Sequence, residues 1–594
     1  MRKIEFNKIS NIFINNGIVA LHRFITKFQH RNKDFGEIQN ELLPSKLIVG
    51  HEEVLKLLEE VYYFMGNEVY NTVSSKQKEK KENVYLDEKT GQFHRFPKMN
   101  TYGLTELFTN NAQGTTRVKE NSPKISDLEK SKPETALKIK SYFNENGLKL
   151  LSKVYLNEPY SKITTLEADE KFWTSGNKKC PIIGENFKVL VEGQNISPFI
   201  KGLNNFNTFL ESSDKKVSQK ALYILRFSPA LAMYAYYQGY DSFSSSFFNS
   251  SNLVNLNSLY SDEFFYAKDE MEGWKMPFQR NIKLEDFKYS KKDNEHYTIK
   301  SAEDSYSPQE LTFLLIYTFY KKKFQMEIES SVAKVEYDPF ENSPFKKIPI
   351  SLVTLKADKF ASTMRPNFYE EYSNVKFIIR LIHKLESNVT NPSKRIPISE
   401  LWRGLVFKSS KSESIKDFNK KMMIERKYRA DIIGKLLKGK SILPDIESLS
   451  SKSYLILIKS KDNDPGRRRY DLLTELLTIY EPAINFGGTL MDKSLQQRAI
   501  NLGKSIGQGI INFDNPKNEN EKKANAKNGR KYLISMHKAR NIAQFREVLI
   551  RIQRKYSISV ANDIIENLDE SNYVAIKQYA QIGALNTLNI VLSN

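Results

Sequence analysis

The sequence predicts an α+β protein, with a mixed α/β N-terminal part over residues 1–365 and a predominantly helical C-terminal bundle over 366–594. Three observations predict it. Beyond Asn367 almost every apolar stretch reads as helix, whereas between residues 141 and 210 short apolar runs alternate with glycine and proline. Lys188-Val189-Leu190-Val191 and Ile196-Ser197-Pro198-Phe199 typify those strand-like runs. At 594 residues and 40% hydrophobic content the chain can build several cores, so about two to four domains are expected.

Near the N-terminus, Asn15-Asn16-Gly17 reads as the cap of a helix whose Ile18, Leu21, Ile25 and Phe28 share a face. Val54, Leu58, Val61 and Met65 mark a second helix. Polar stretches at 74–83 and 110–133 read as loops or insertions. Residues 220–240 return to helical, aromatic-rich packing around Pro229, and the Ser/Asn-rich passage 241–261 reads as turn. The richest apolar run, 311–320, has the length of a buried segment and falls short of the ~20 residues of a membrane span. Pro339, Pro344 and Pro349 punctuate an irregular link. After it, 369–385, 414–437, 467–480, 489–503 and two final runs read as helices, and no repeat of fixed period is present.

The closing stretch, 529–594, carries a seam and a stripe on one segment. Ile542, Phe545, Leu549, Ile552 and Tyr556 recur at the period of a packed helix face, and Arg540, Arg551, Arg554 and Lys555 point away from it, interrupted by Glu547. A basic helix face is often only a solvated one. Here the whole chain is basic: 91 Lys plus Arg against 70 Asp plus Glu give a formal charge of +21, which favours a polyanionic partner. The 31 Tyr and 36 Phe suit a nucleic-acid binder that stacks as well as neutralises. Cys180 is the single cysteine, which excludes an intramolecular disulfide and any multi-cysteine metal site. Met1-Arg2-Lys3-Ile4-Glu5 has no apolar signal core, so a soluble cytoplasmic protein is expected.

Several catalytic motifs are suggested and fail. Gly434-Lys435-Leu436-Leu437-Lys438-Gly439-Lys440-Ser441 matches the phosphate-loop pattern, but such a loop follows a buried strand and opens a helix, whereas 427–433 reads as helix. The seven histidines, His22, His30, His51, His94, His296, His383 and His537, are scattered singly. His51-Glu52-Glu53-Val54-Leu55 has leucine where a zinc motif needs its second histidine. Carboxylates could still converge in space without a sequence signature, which keeps a metal-dependent nuclease of mobile-element defence as an alternative. A general RNA-binding scaffold is a further one.

Three segments carry a resemblance: Asn11-Ile12-Phe13-Ile14-Asn15-Asn16-Gly17-Ile18-Val19-Ala20-Leu21, then Lys178-Lys179-Cys180-Pro181-Ile182-Ile183-Gly184, and finally Ala539-Arg540-Asn541-Ile542-Ala543-Gln544-Phe545. In order and spacing the chain resembles the large subunit of type I-B CRISPR Cascade, an RNA-guided DNA surveillance complex. In that family the middle segment often belongs to a cysteine-pair zinc module, here the region around 173–200. Ile183 stands where the second cysteine would be, so tetrahedral zinc binding of that type is lost, and neither metal nor cofactor is expected.

The resemblance implies a non-catalytic role in antiviral defence. Such subunits hold the 5′ end of the guide RNA, recognise the protospacer-adjacent motif in double-stranded DNA, promote R-loop formation along target and displaced strand, and recruit a helicase-nuclease. Backbone and small subunits of Cascade are the implied protein partners. Met422, Met423 and Met491 are candidate internal starts for a small subunit. The candidate backbone-contacting residues are Arg467, Arg468 and Arg469 at a loop-to-helix junction, Arg540, Arg551, Arg554 and Lys555, and the pairs or runs Lys178, Lys179 and Lys321, Lys322, Lys323. Candidates for reading the DNA motif are Asn110, Asn111 and Gln113, or Asn204, Asn205 and Asn207 beside Phe206, because amides can pair with base edges.

Overall fold

A computed structural model describes residues 2–70, 84–95, 123–148, 150, 154–157, 169–192, 216–236, 242–260, 268–269, 273–274, 307–324, 338–340, 343, 345–360, 363–387, 396–406, 418–459, 470–484 and 493–593. The architecture is α+β, with small sheets in the N-terminal half and a helical C-terminal region. Two compact units form: Met1–Lys283 with Pro344–Ser373, and Leu284–Ser343 with Asn374–Asn594. The sequence boundary at 365/366 therefore differs from the spatial one, which lies at 373/374 and assigns an upstream segment to the second unit.

In the first unit, β1 (Arg2–Asn7), β2 (Gln39–Leu42) and β3 (Lys46–His51) form an antiparallel sheet in the order β1-β3-β2. Helix α1 (Ile12–Arg31) and helix α2 (Val54–Tyr70) complete the N-terminal layer. The cap of α1 is Asn11, whose Oδ1 accepts from the Phe13 and Ile14 amides, and not the Asn15-Asn16-Gly17 run. Those three residues are buried inside the helix. Asn16 Nδ2 donates to the Phe248 carbonyl at 3.0 Å and its Oδ1 accepts from the Tyr260 hydroxyl at 2.6 Å, so the amide ties α1 to later chain. A Cβ on Gly17 would lie 2.2 Å from the Ile224 carbonyl oxygen, and only glycine permits that crossing.

A small module follows: β4 (Val84–Leu86), β5 (Phe93–Arg95), α3 (Ile125–Ser131), α4 (Pro133–Glu145) and β6 (Tyr155–Leu156) share one core around Ile139 and Phe143. The loop expected over 110–133 thus contains a helix in its described part. Beyond it come the hairpin of β7 (Lys178–Lys179) and β8 (Asn186–Phe187), the pair β9 (Val191–Glu192) and β10 (Lys216–Val217), and α5 (Gln219–Phe227).

The main sheet has the order β11-β12-β15-β16, with β11 (Met233–Tyr236), β12 (Ser242–Asn249), β15 (Ser351–Phe360) and β16 (Thr363–Tyr372). A minor pair, β13 (Lys268–Asp269) with β14 (Gly273–Trp274), and helix α6 (Leu253–Leu259) lie between β12 and β15 in sequence. This sheet corrects three sequence readings. Residues 233–236 are strand and not helix, 242–249 are an interior strand and not turn, and 369–372 end β16 before any helix starts. Two of the serines of β12 bond across the sheet: Ser244 Oγ donates to the Leu355 carbonyl at 3.1 Å, and Ser246 and Thr354 hydroxyls are 2.8 Å apart. Pro366 is accommodated on an edge strand, where the register shifts opposite Lys356/Ala357.

The second unit is helical among its described residues: α7 (Pro308–Lys323), α8 (Val375–Ser387), α9 (Ile398–Gly404), α10 (Phe418–Leu437), α11 (Leu443–Leu457), α12 (Tyr470–Ile484), α13 (Lys493–Ile511), α14 (Glu519–Asn528), α15 (Arg530–Lys538), α16 (Ile542–Tyr556), α17 (Asn562–Glu566) and α18 (Tyr573–Ser593). Helix α7 opens with a complete capping box between Ser307 and Glu310. Helix α18 is the axis of the bundle, buried without interruption from Tyr579 to Asn586, as a helix apolar all round must be. It crosses α13 at glycines: a Cβ on Gly503 would lie 2.0 Å from the Ala580 carbonyl oxygen, and one on Gly583 2.5 Å from that of Ile500. Because the obstacle is backbone, Gly503→Ala should force the helices apart and cost roughly 1–3 kcal/mol, read as a lowered midpoint in thermal unfolding. A midpoint equal to the parent's would show that the crossing yields easily.

Candidate nucleic-acid interface

Three consecutive helices, α14 to α16, build a basic surface. Between residues 517 and 555 stand twelve lysines and arginines against three glutamates, Glu519, Glu521 and Glu547. Helix α14 is capped by Asn518, whose Oδ1 accepts from the Glu521 amide at 2.9 Å. Helix α15 ends under Lys577, whose Nζ donates to the Ala539 carbonyl at 2.8 Å. Helix α16 is capped by Asn541, whose Oδ1 accepts from the Gln544 amide, and Gln544 Oε1 accepts from the amide of Arg540, the residue before the cap, both at 2.9 Å. These caps fix the rotation of each helix, and hence which side chains face water.

On α16 the expected seam is present: Phe545, Leu549 and Ile552 are buried with Val548, and Ile542 and Tyr556 are half-buried. Arg540, Arg551, Arg554 and Lys555 are exposed. They are not equivalent. Arg551 bonds to Glu547 one turn earlier, and the Lys555 Nζ sits 4.2 Å over the Phe513 ring. Arg540 and Arg554 have no acidic partner among the described residues, nor has exposed Arg546, which the sequence reading missed. Its signal was available: Arg546 stands two helical turns before Arg554 on one ridge. Lys527, Arg530, Lys531 and Lys538 are further exposed cations on α14 and α15.

The remaining candidates are placed elsewhere or not described. Lys178 and Lys179 are exposed on β7 in the first unit. Lys321 is half-buried, paired with Glu386 at 3.2 Å, so its charge is already met within the fold. Lys322 and Lys323 close α7, and their side chains lie outside the described residues. Arg467, Arg468 and Arg469 lie outside them too, as do Asn110, Asn111, Gln113, Asn204, Asn205 and Asn207.

Two motifs acquire structural roles. Helix α10 runs through Gly434 to Leu437, and Gly439 turns the chain at φ +64°, so the phosphate-loop letters span a helix end. The next helix N-terminus holds a carboxylate of the protein itself: Glu481 Oε1 accepts from the Ile442 amide at 2.8 Å and from Ser441 Oγ at 3.1 Å. Burial pushes the Glu481 carboxyl above its usual pKa, against the opposing pull of those donors. A carboxyl raised in the fold is penalised once ionised, so stability from this group is full below the unfolded-state value and is lost as pH rises through the folded one. Glu481→Gln keeps the acceptor and removes the charge; its unfolding free energy should exceed the parent's at pH 7 and match it at pH 4. A difference that is the same at both pH values would contradict this.

Cys180 is the second case. It is buried, its Sγ accepts from the Ser218 amide at 3.3 Å, and its carbonyl accepts from the Gly184 amide at 2.9 Å, with Gly184 at φ +76°. The knuckle-like turn is closed by hydrogen bonds and hydrophobic burial around one thiol. Among the described residues no group of three His, Cys, Asp or Glu side chains could hold a metal ion, and no helix is long and apolar enough to cross a membrane. No protein-family model and no curated protein matches the chain.

Proposed function

We propose that this chain is the non-catalytic, DNA-recognising large subunit of a cytoplasmic RNA-guided surveillance complex, and that α14 to α16 contact nucleic-acid backbone. The observation that carries the reading is the exposed run Lys527, Arg530, Lys531, Lys538, Arg540, Arg546 and Arg554, without acidic partners among the described residues. Cations on capped helices meet phosphates without base preference, the contact a protein needs when guide pairing carries the sequence information. The three resembling segments supply the rest: guide-RNA 5′ end, protospacer-adjacent motif, R-loop and helicase-nuclease recruitment are what that likeness brings. Purification of the tagged chain from its native cells, with sequencing of bound RNA and intact masses of bound proteins, tests it. Short RNAs sharing one constant 5′ tag, with several copies of a backbone subunit, are the expected result. A lone protein, or one carrying random RNA, would remove the guide-complex reading and direct attention to a nuclease assay with divalent metals.

A further inference from the structure

Where α16 ends, three aromatic rings meet. Phe513, two residues beyond α13, lies edge-to-face with Tyr556, the last residue of α16, at a centroid distance of 5.5 Å, and Tyr556 meets Tyr532 of α15 in the same way at 5.3 Å. The interplanar angles are 85° and 75°, so within these pairs no ring lies flat on another. All three side chains are half-buried, and neither tyrosine hydroxyl has a hydrogen-bond partner among the described residues. The backbone holds the rings in place. Asn525 Nδ2 of α14 donates to the Phe513 carbonyl at 2.6 Å and to the Ile511 carbonyl at 3.2 Å. A Cβ on Gly509 would lie 3.2 Å from Tyr556 Cβ and 2.6 Å from Ile558 Cγ2, so the end of α16 rests directly on α13. Among the described residues four other than glycine have a left-handed backbone, and three of them follow these rings: Asp514 at φ +60° and Asn515 at +48° after Phe513, and Ser557 at +53° after Tyr556. Backbone of that kind persists where its surroundings over-determine it, and it collects at binding sites.

Cations surround the rings. Lys555 Nζ lies 4.2 Å from the Phe513 ring centroid, exposed Lys531 precedes Tyr532, and exposed Arg554 stands two residues before Tyr556. None of the three cations has an acidic partner among the described residues, and Asp514 is the acid next to the rings in sequence. Cations alone would serve phosphates on single and double strands alike. Flat apolar faces set among cations match a chain that offers a base face and a phosphate at each step, whereas a duplex keeps its base faces covered by the neighbouring pairs. We propose that Phe513, Tyr532 and Tyr556 form a stacking site for the unpaired bases of a single strand. Resting on the nucleic-acid reading of α14 to α16, the site adds base contacts to phosphate contacts, and it has no strong sequence preference because every base has a π-face.

The test is the affinity of the full chain for a labelled single strand of about 30 nucleotides and for an abasic strand of the same length, which keeps every phosphate and has no base, at one fixed salt concentration. Stacking of a single base should make the parent bind the base-bearing strand roughly 5- to 150-fold more tightly than the abasic one. Tyr532→Leu with Tyr556→Leu keeps apolar bulk without a flat ring; the pair should lose that preference and leave affinity for the abasic strand unchanged. Tyr532→Phe with Tyr556→Phe should keep it. Tyr532→Trp places a reporter in the site in addition to Trp173, Trp274 and Trp402. The emission it adds to the parent's should fall on binding of the base-bearing strand and stay constant on binding of the abasic one, a readout that holds even where the leucine pair disturbs the fold. Equal parental affinity for the two strands would overturn the stacking site and leave the basic surface standing. A folded leucine variant that keeps the preference, or an added emission indifferent to bases, would overturn it as well. Absence of binding to either strand would remove the nucleic-acid reading and the stacking site with it.

Discussion

Glu310→Ala is expected to be the most damaging single substitution in the helical unit, lowering its unfolding free energy by about 3–5 kcal/mol. Glu310 and Arg429 are ion-paired at 2.5 Å with side chains 1% and 4% exposed, so neither charge can be met by water if the other is removed. The guanidinium also lies 4.4 Å over the Trp402 ring and donates to the Trp402 carbonyl at 3.4 Å, which joins α7, α9 and α10 through one side chain. Glu310 has a second task, since its other oxygen accepts from the Ser307 amide and closes the capping box of α7. Alanine loses both, and the cap alone is worth about 1 kcal/mol. Buried pairs are costly to break yet often replaceable by apolar packing. The double variant Glu310→Leu with Arg429→Met should therefore recover much of the loss, and urea denaturation of parent, single and double variants gives the coupling. If Glu310→Ala unfolds within experimental error of the parent, the pair is solvated in solution and the argument fails.

That pair also shows why the order of the chain misleads about its units. Residues 311–320 read correctly as a buried apolar segment, but nothing in a sequence assigns a buried helix to a partner; the tie is a carboxylate at 310 and a guanidinium at 429. Period was the most legible signal. The second N-terminal helix, the helix ending at Leu437 and the seam of α16 stand where apolar spacing put them. Polar strands were not legible. Ser244, Ser245 and Ser246 look like turn residues because composition cannot show that cross-strand acceptors await two of their hydroxyls. Asn15 and Asn16 mislead likewise, as their amides serve backbone carbonyls four or more residues away and do not cap the helix. At the site, charge was legible and availability was not. Glu547 stands one turn before Arg551, a spacing visible in the sequence, but that the two pair is seen only in the rotamer of Glu547.

Alanine at Arg540, Arg546 and Arg554 together is expected to weaken nucleic-acid binding by roughly 100- to 500-fold in 0.1 M salt, the worth of three phosphate contacts. All three side chains are exposed, and their helix is held by a seam and caps they do not enter; Arg540 joins its cap only through a backbone amide. The loss should thus come without a change in thermal midpoint. Salt dependence separates this from unfolding or lost base contacts: the slope of log affinity against log salt should flatten by about 0.7–0.9 for each lost contact, alike for all sequences. Glu547 provides the opposite test. It is the one acid on α15 and α16, and it holds Arg551. Glu547→Ala releases that arginine and removes a repelling charge, so binding should tighten severalfold with a steeper salt slope. If the triple variant bound as tightly as the parent while Glu547→Ala changed nothing, the polyanion would be contacting another surface of the protein.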